Sequence, residues 1–317
     1  MGEYLSKPDI KKDSLNGETD QICFGDSSMQ GWRLSQNDAY NAVLNFDAKT
    51  SFFAIYDGHG HEYVEGDVSK YCAKNYPEYL KAQDDYINNE IPDALKKSFL
   101  EFDQTLFKED CAESDEENDK NLILNEEGEE IDFLKNGCTA LVVLFRDRTL
   151  FVANAGHSLC LVCRDGKAIE MSQKHLPSNE LERDRIEKAG GVVSNDRLND
   201  TLNVSRAFGD HLFKLNKDLS FTEQMLTSLP DVKMLDIDLE RDSFMVLVSK
   251  SIWNSMNSQG ICDFINEKLK SNHAKLSDIC EDILMHCLAP NLEGEIHGLD
   301  NMTCILVLFK KVNNCTF

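Results

Sequence analysis

Phe52-Phe53-Ala54-Ile55-Tyr56-Asp57-Gly58-His59-Gly60 decides how this chain is read. Five apolar residues in a row form a buried strand, and the glycines that follow permit a sharp turn. One carboxylate is thereby delivered beside one imidazole, an arrangement suited to holding a hard cation next to a proton donor.

Outward from this stretch the pattern is mainly of strands. Candidates are Ala39 to Asn45, Ser51 to Tyr56, Ala140 to Phe145, Thr149 to Ala153, Leu159 to Arg164, Phe244 to Ser249 and Thr303 to Phe309, all rich in Val, Leu, Ile and Phe. Asp165-Gly166 reads as a hairpin turn into Ala168-Ile169-Glu170-Met171. Helices are expected over Ile91 to Lys108, Asn179 to Ala189 before Gly190-Gly191, Gln259 to Leu269 and Lys275 to Leu288. Hairpin strands flanked by paired helices predict a layered α+β domain with antiparallel sheets inside.

Composition narrows the function classes. With 317 residues, 41% hydrophobic and 6 prolines, the chain has enough apolar material for a substantial core. The formal charge of -23 argues against nucleic acid or an anionic membrane as the main partner. Eleven cysteines at scattered spacings predict reduced thiols and a cytoplasmic or nuclear location. Cys160 and Cys163 form a close sequence pair without a second pair to complete a zinc site, so two packed thiols are expected there. Met1-Gly2 with Ser6 matches an N-myristoylation pattern as well as an ordinary exposed terminus. One acyl chain on Gly2 would give at most weak membrane contact. Between Glu109 and Glu130 eleven acidic residues face Lys120 alone, which predicts a solvated loop.

Several acidic, glycine-bearing turns lie just outside the strands: Gln36-Asn37-Asp38-Ala39, Asn154-Ala155-Gly156-His157, Ser205-Arg206-Ala207-Phe208-Gly209-Asp210 and Gly298-Leu299-Asp300-Asn301-Met302. With these, with Met29-Gln30-Gly31-Trp32-Arg33 and with Ile252-Trp253-Asn254, the chain resembles the type-2C, metal-dependent Ser/Thr protein phosphatases (PPM family) almost end to end, the gamma subtype most closely. The resemblance implies a central antiparallel β-sandwich flanked by helical layers, with two Mg or Mn ions at one end. It implies one domain over 23–312, after an N-terminal segment 1–22 and before a short tail 313–317. The acidic run at 109–130 then corresponds to a shortened form of the gamma subtype's acidic insert.

Carried over position by position, Asp57 matches the aspartate bridging both metals and Gly58 the residue whose carbonyl ligates one. His59 matches the general acid, Arg33 the arginine that grips the phosphate, Asp300 a second carboxylate on the first metal, and Asp38 a supporting acid. Singly, Asp57 could cap a turn and Arg33 could pair with any surface acid; their joint occurrence carries the inherited site.

Other positions depart from the pattern. Asn37 is an amide where a metal-binding acid is expected, Lys250 stands for a first-metal aspartate, and His157 for an aspartate of an additional metal. An ammonium about 4 Å from a divalent ion is repelled by roughly 8 kcal/mol at an effective dielectric of about 20. The metals are therefore expected to be weakly held or absent, with Lys250 either pairing with Asp57 and Asp300 or pointing to solvent. The function expected is that of a catalytically impaired homologue, a pseudophosphatase that binds phosphoproteins or other proteins. The alternatives are an active Mn- or Mg-dependent phosphatase for phosphoserine and phosphothreonine, and an acidic loop that captures basic proteins.

Overall fold

The computed structural model describes residues 4–60, 65–107, 123–125, 128–271, 275–293 and 297–311. The strands are β1 (Tyr4–Glu18), β2 (Ile22–Arg33), β3 (Asp38–Val43), β4 (Thr50–His59), β5 (Gly137–Cys138), β6 (Ala140–Arg146), β7 (Thr149–Ala155), β8 (Leu159–Arg164), β9 (Lys167–Glu170), β10 (Val193–Ser194), β11 (Arg197–Leu198), β12 (Phe208–Gly209), β13 (Asp231–Asp236), β14 (Asp242–Val248) and β15 (Met302–Phe309). The helices are α1 (Glu65–Lys81), α2 (Asp84–Ile87), α3 (Ile91–Leu106), α4 (Glu180–Lys188), α5 (Lys250–Ser255), α6 (Ser258–Lys270) and α7 (Leu276–Cys287). One six-stranded sheet runs β1-β2-β15-β14-β8-β9; a seven-stranded sheet runs β12-β5-β4-β6-β7-β13 with β3 paired to β4. Every pairing between these strands is antiparallel.

The continuous apolar strands are explained by burial on both faces. In β4, Phe53 and Ile55 point between the sheets, whereas Phe52, Ala54 and Tyr56 point into a second core beneath α1 and α3. In β14, Met245 and Leu247 face the inter-sheet core, while Phe244, Val246 and Val248 meet the apolar faces of α5, α6 and α7. The period-2 alternation thus sorts side chains between two apolar layers instead of between core and water. The result is the expected helix–sheet–sheet–helix α+β sandwich.

The elements that escaped the sequence reading include β1, β2, β13 and α1. Strand β1 is charged and half exposed, as suits an edge strand, yet it pairs with β2 from Tyr4↔Arg33 to Glu18↔Cys23. The segment 1–22, expected to precede the domain, therefore contributes β1 to the main sheet from Tyr4 onward. Strand β13 is likewise a polar edge strand. Helix α1 carries Pro77, which reads as a breaker. Pro77 cannot donate to the Ala73 carbonyl four residues back; the Asn41 side-chain amide donates to it instead, at 3.0 Å. The Asp165-Gly166 hairpin forms as expected, with both residues at positive φ and Arg164 paired to Lys167. Most of the acidic run, and Gly2, lie outside the described residues.

Candidate functional site

Five chain segments converge at one end of the sandwich. The last residues of β4 carry Asp57, Gly58 and His59; the end of β2 carries Arg33; β3 begins at Asp38; α5 begins at Lys250; and Asp300 precedes β15. Antiparallel pairing sets Asp38 opposite Asp57. Asn301 fixes the loops, accepting from the Asn37 amide at 2.9 Å and donating to the carbonyls of Gln30 and Ser35. The Gly58 amide donates to the Asn37 carbonyl at 3.1 Å, which locks the turn against β3. Gly60 is required by crowding, since a Cβ there would stand 2.0 Å from Asn136 Oδ1.

Asp300 is shared by two cations. Arg33 Nε donates to its Oδ1 at 2.9 Å and Lys250 Nζ lies 3.3 Å from its Oδ2. Burial disfavours the charge on Asp300, but Lys250 and then Arg33 overcome it and hold the carboxyl well below the usual range. Lys250 is raised in turn: burial opposes its charge, and Asp300 and Asp57 outweigh that. Asp57 moves the other way, because burial lifts its carboxyl more than Lys250 lowers it. Burial and the charge of Asp57 push Asp38 well above the carboxylate range, where Thr303 Oγ1 donates to it at 2.7 Å. Two further side chains stand behind Lys250's helix. Lys174 Nζ sits 4.6 Å from the Trp253 ring centre and donates to Asn254 Oδ1 at 3.1 Å. His157 is buried edge-on to Trp253, with ring centres 5.7 Å apart. Burial, then the charges of Lys174 and Lys250, depress its imidazole to about 3, so it is neutral near pH 7.

His59 is held by a partner of its own. Its Nε2 lies 2.5 Å from Asp210 Oδ2, and Asp210 is buried in left-handed backbone at φ 50°. Burial opposes the imidazolium, but Asp210, helped by Asp57, raises His59 above its ordinary value. Gly137 makes the approach possible, because a Cβ there would collide with Asp210 Oδ2 at 2.1 Å. Among the described residues, no group of three or more His, Cys, Asp or Glu side chains is arranged to hold a metal ion.

The protein phosphatase 2C family model matches residues 22–296. The chain belongs to the protein phosphatase 2C family. Among its relatives, "Probable protein phosphatase 2C 21" of Arabidopsis thaliana is 40% identical over 341 residues, spanning 99% of this chain and 94% of that protein. "Protein phosphatase 2C homolog 3" of Schizosaccharomyces pombe is 37% identical across 98% of this chain and 70% of its own length. A solved Toxoplasma gondii phosphatase superposes with a TM-score of 0.70 at 20% identity, covering 94% of this chain and 96% of that one, a likeness of fold.

Within this protein phosphatase 2C fold, the carried-over site positions and the departures Asn37, Lys250 and His157 lie in or beside the convergence. Asp57, Gly58, His59, Arg33, Asp38, Asp300, Asn37 and Lys250 share the centre, and His157 sits behind α5. Of the two dispositions open to Lys250, pairing is the one adopted: it contacts Asp300, and Asp57 acts on it through charge. The sequence reading missed Asp210, Thr303 and also Ser249, whose hydroxyl accepts from the Thr303 amide at 3.0 Å. Ser205-Arg206-Ala207-Phe208-Gly209-Asp210 stood out as an acidic, glycine-bearing turn, but nothing in its spacing tied Asp210 to His59, 151 positions away.

Proposed function

We propose that this chain is a protein phosphatase 2C homologue whose centre is kept by Lys250 instead of by metal ions, and which binds phosphorylated Ser/Thr proteins without efficient turnover. The observation that carries the reading is the Lys250 ammonium 3.3 Å from Asp300, on the carboxylate a first metal would need. Asn37 supports it by offering an amide that accepts from Ser35 Oγ at 2.7 Å, and His157 by offering a buried neutral ring. This donor set does not fit two divalent ions: the hard anions they require are halved, and an ammonium stands among those left. Arg33 and Lys250 line one pocket with Tyr4, Ser251 and Asn254, where a phosphoryl group would meet a guanidinium fork and a point charge. Asp300 competes with that anion for both cations.

The enzyme reading is favoured by the names of the relatives, which are those of phosphatases. It would use Asp57, Asp300 and a relocated acid to hold Mn or Mg, with His59 as proton donor. Calorimetric Mn titration beside a phosphopeptide hydrolysis assay separates the two. The binding reading expects no saturable Mn uptake, phosphopeptide binding without Mn, and Mn binding gained in the Lys250→Asp, Asn37→Glu, His157→Asp triple variant. Tight Mn binding by the unaltered chain, with turnover abolished by Asp57→Ala, would sink it.

A further inference from the structure

We propose that Cys163 and Cys262 form an oxidisable dithiol, a modification site on the face of the molecule built from β8, β9 and α6. Cys163 ends the apolar part of β8 and Cys262 lies in the first turns of α6, and their sulfurs are 2.9 Å apart. Both side chains are fully buried, beneath the exposed hairpin turn Asp165-Gly166, and the Gly166 carbonyl is 3.7 Å from Cys262 Sγ. Asn266, one turn further along α6, donates its side-chain amide to Cys163 Sγ at 3.3 Å and reaches Cys262 Sγ at 3.6 Å. The surroundings hold the pair in place. Gln259 bridges the hairpin, accepting from the Ala168 amide and donating to the Gly166 carbonyl, each at 3.0 Å.

This geometry gives the sulfurs different roles. Cys163 accepts hydrogen bonds from Cys262 and Asn266, the environment that favours a thiolate. The bond from Cys262 is the largest influence on Cys163; with Asn266 and the Gly166 amide it outweighs burial and the charge of Asp263, and lowers the thiol to about 7. Cys262, as the donor, is raised by the same bond and by burial. Cys163 is therefore the attacking sulfur and Cys262 the resolving one. With a peroxide as oxidant, the Cys163 thiolate attacks one oxygen, the O–O bond breaks, and Cys163 becomes a sulfenic acid while the departing hydroxide takes a proton as water. Cys262 sulfur then displaces the hydroxyl from Cys163, its proton leaving with that oxygen as a second water. The two thiols lose two protons and two electrons in total, and the peroxide is reduced to two waters. The fold already holds the two sulfurs in contact, so the second step joins neighbouring groups. The product staples a strand of the six-stranded sheet to the helix that packs on it, closing a loop across 99 positions of sequence.

Cys160 is the competing partner suggested by the sequence, but strand alternation sends it to the opposite face. It lies in the core between the two sheets, whereas Cys163 and Cys262 share the core under α6.

The test uses the full chain, reduced, desalted, treated with hydrogen peroxide in modest excess, blocked with N-ethylmaleimide and digested with trypsin. Cleavage at Arg148, Arg164, Lys250 and Lys268 separates the peptide 149–164, which holds both Cys160 and Cys163, from 251–268, which holds Cys262. The expected result is a linked 149–164/251–268 species, lighter by two hydrogens than the two free peptides together and reversed by dithiothreitol. Cys160→Ser should leave this species intact. Cys262→Ser should abolish it and leave Cys163 trapped by dimedone as a sulfenic acid. A loop within 149–164 joining Cys160 to Cys163, a link between other cysteines in its place, or both peptides fully alkylated after peroxide would overturn the proposal. Should Cys262→Ser fail to fold, Cys262→Ala with Cys160→Ser as folding control supplies the same readout.

Discussion

At the scale of single residues, the centre is governed by how Asp300 divides itself between Arg33 and Lys250. Neither partner is sealed from water, the Lys250 and Asp300 side chains being 20% and 25% exposed, so solvent screens part of the attraction. Removing the ammonium still leaves a carboxylate half-compensated among Asp57 and Asp38. Lys250→Met is expected to cost about 1–3 kcal/mol, less than the loss of one partner of a wholly buried pair; urea unfolding of the two proteins measures it. Asp300→Asn removes the competitor for both cations. If the binding reading holds, phosphopeptide affinity should rise by about 3- to 10-fold, on the order of 1 kcal/mol, read by fluorescence anisotropy in the absence of divalent ions. An unchanged or weaker affinity in a folded variant would show that these cations do not meet the phosphate.

Buried carboxylates also tie elements to one another. Glu182 on α4 accepts from Arg206 Nη2 at 2.6 Å, from Arg185 Nη1 at 2.7 Å and from Ser205 Oγ at 2.6 Å, fastening the helix to the 205–206 loop. Burial works against its charge, but Arg206 and Arg185 prevail and lower it to about 2. Asp103 on α3 does the same for β12 and the segment after it, accepting from the Gly209 amide at 2.8 Å and from Lys214 Nζ at 2.6 Å. Its burial is outweighed by Lys214 and His211, and it too falls to about 2. Both folded values lie below those of the unfolded chain. The stabilisation is therefore complete above about pH 4.5 and is lost as pH falls toward 2. Denaturant midpoints should drop steeply across that window, and the Glu182→Gln protein, weaker at pH 7, should show a shallower fall. Sheet and helix layers meet as closely at Gly25, where a Cβ would stand 2.2 Å from the Ser277 amide nitrogen of α7. Backbone cannot step aside as a side chain can, so Gly25→Ala should cost about 2 kcal/mol or more through overpacking, visible as a lower melting temperature.

The whole molecule carries a formal charge of -23 on 317 residues. Self-repulsion of that size destabilises the compact state and is screened by salt. Raising NaCl from about 20 to 200 mM shortens the screening length from roughly 20 Å to under 10 Å, and the melting temperature should rise with it. Seven acids between Glu109 and Asp119 contribute to the field. Replacing them with Asn and Gln should reduce the salt response, measured by differential scanning fluorimetry; an undiminished response would assign the effect to the other charges of the chain.

What could be read from the sequence was whatever local pattern controls. Both-face apolar strands such as Phe52 to Tyr56, the Asp165-Gly166 hairpin and the stop of α4 before Gly190-Gly191 depend on neighbours in the chain, and the ordered motifs carried the family. Polar edge strands β1 and β13 carry no such pattern, because only pairing with an adjacent strand makes them strands. Helix α1 survives Pro77 because Asn41, on a different element, serves the freed carbonyl. The centre divides along the same line. The sequence by itself determined the apolar strands and the ordered motifs, whose resemblance to the family implied that Asp57, His59, Arg33 and Asp300 would meet at one end, with Lys250 at a first-metal position. Only the tertiary structure decided that Lys250 lies on Asp300, that Asp210 holds His59, and that Cys163 turns from Cys160 to face Cys262. Charge pairing and sulfur contact act over a few ångströms of space, and chain separations of 50, 151 and 99 residues leave no trace of such distances in the order of the amino acids.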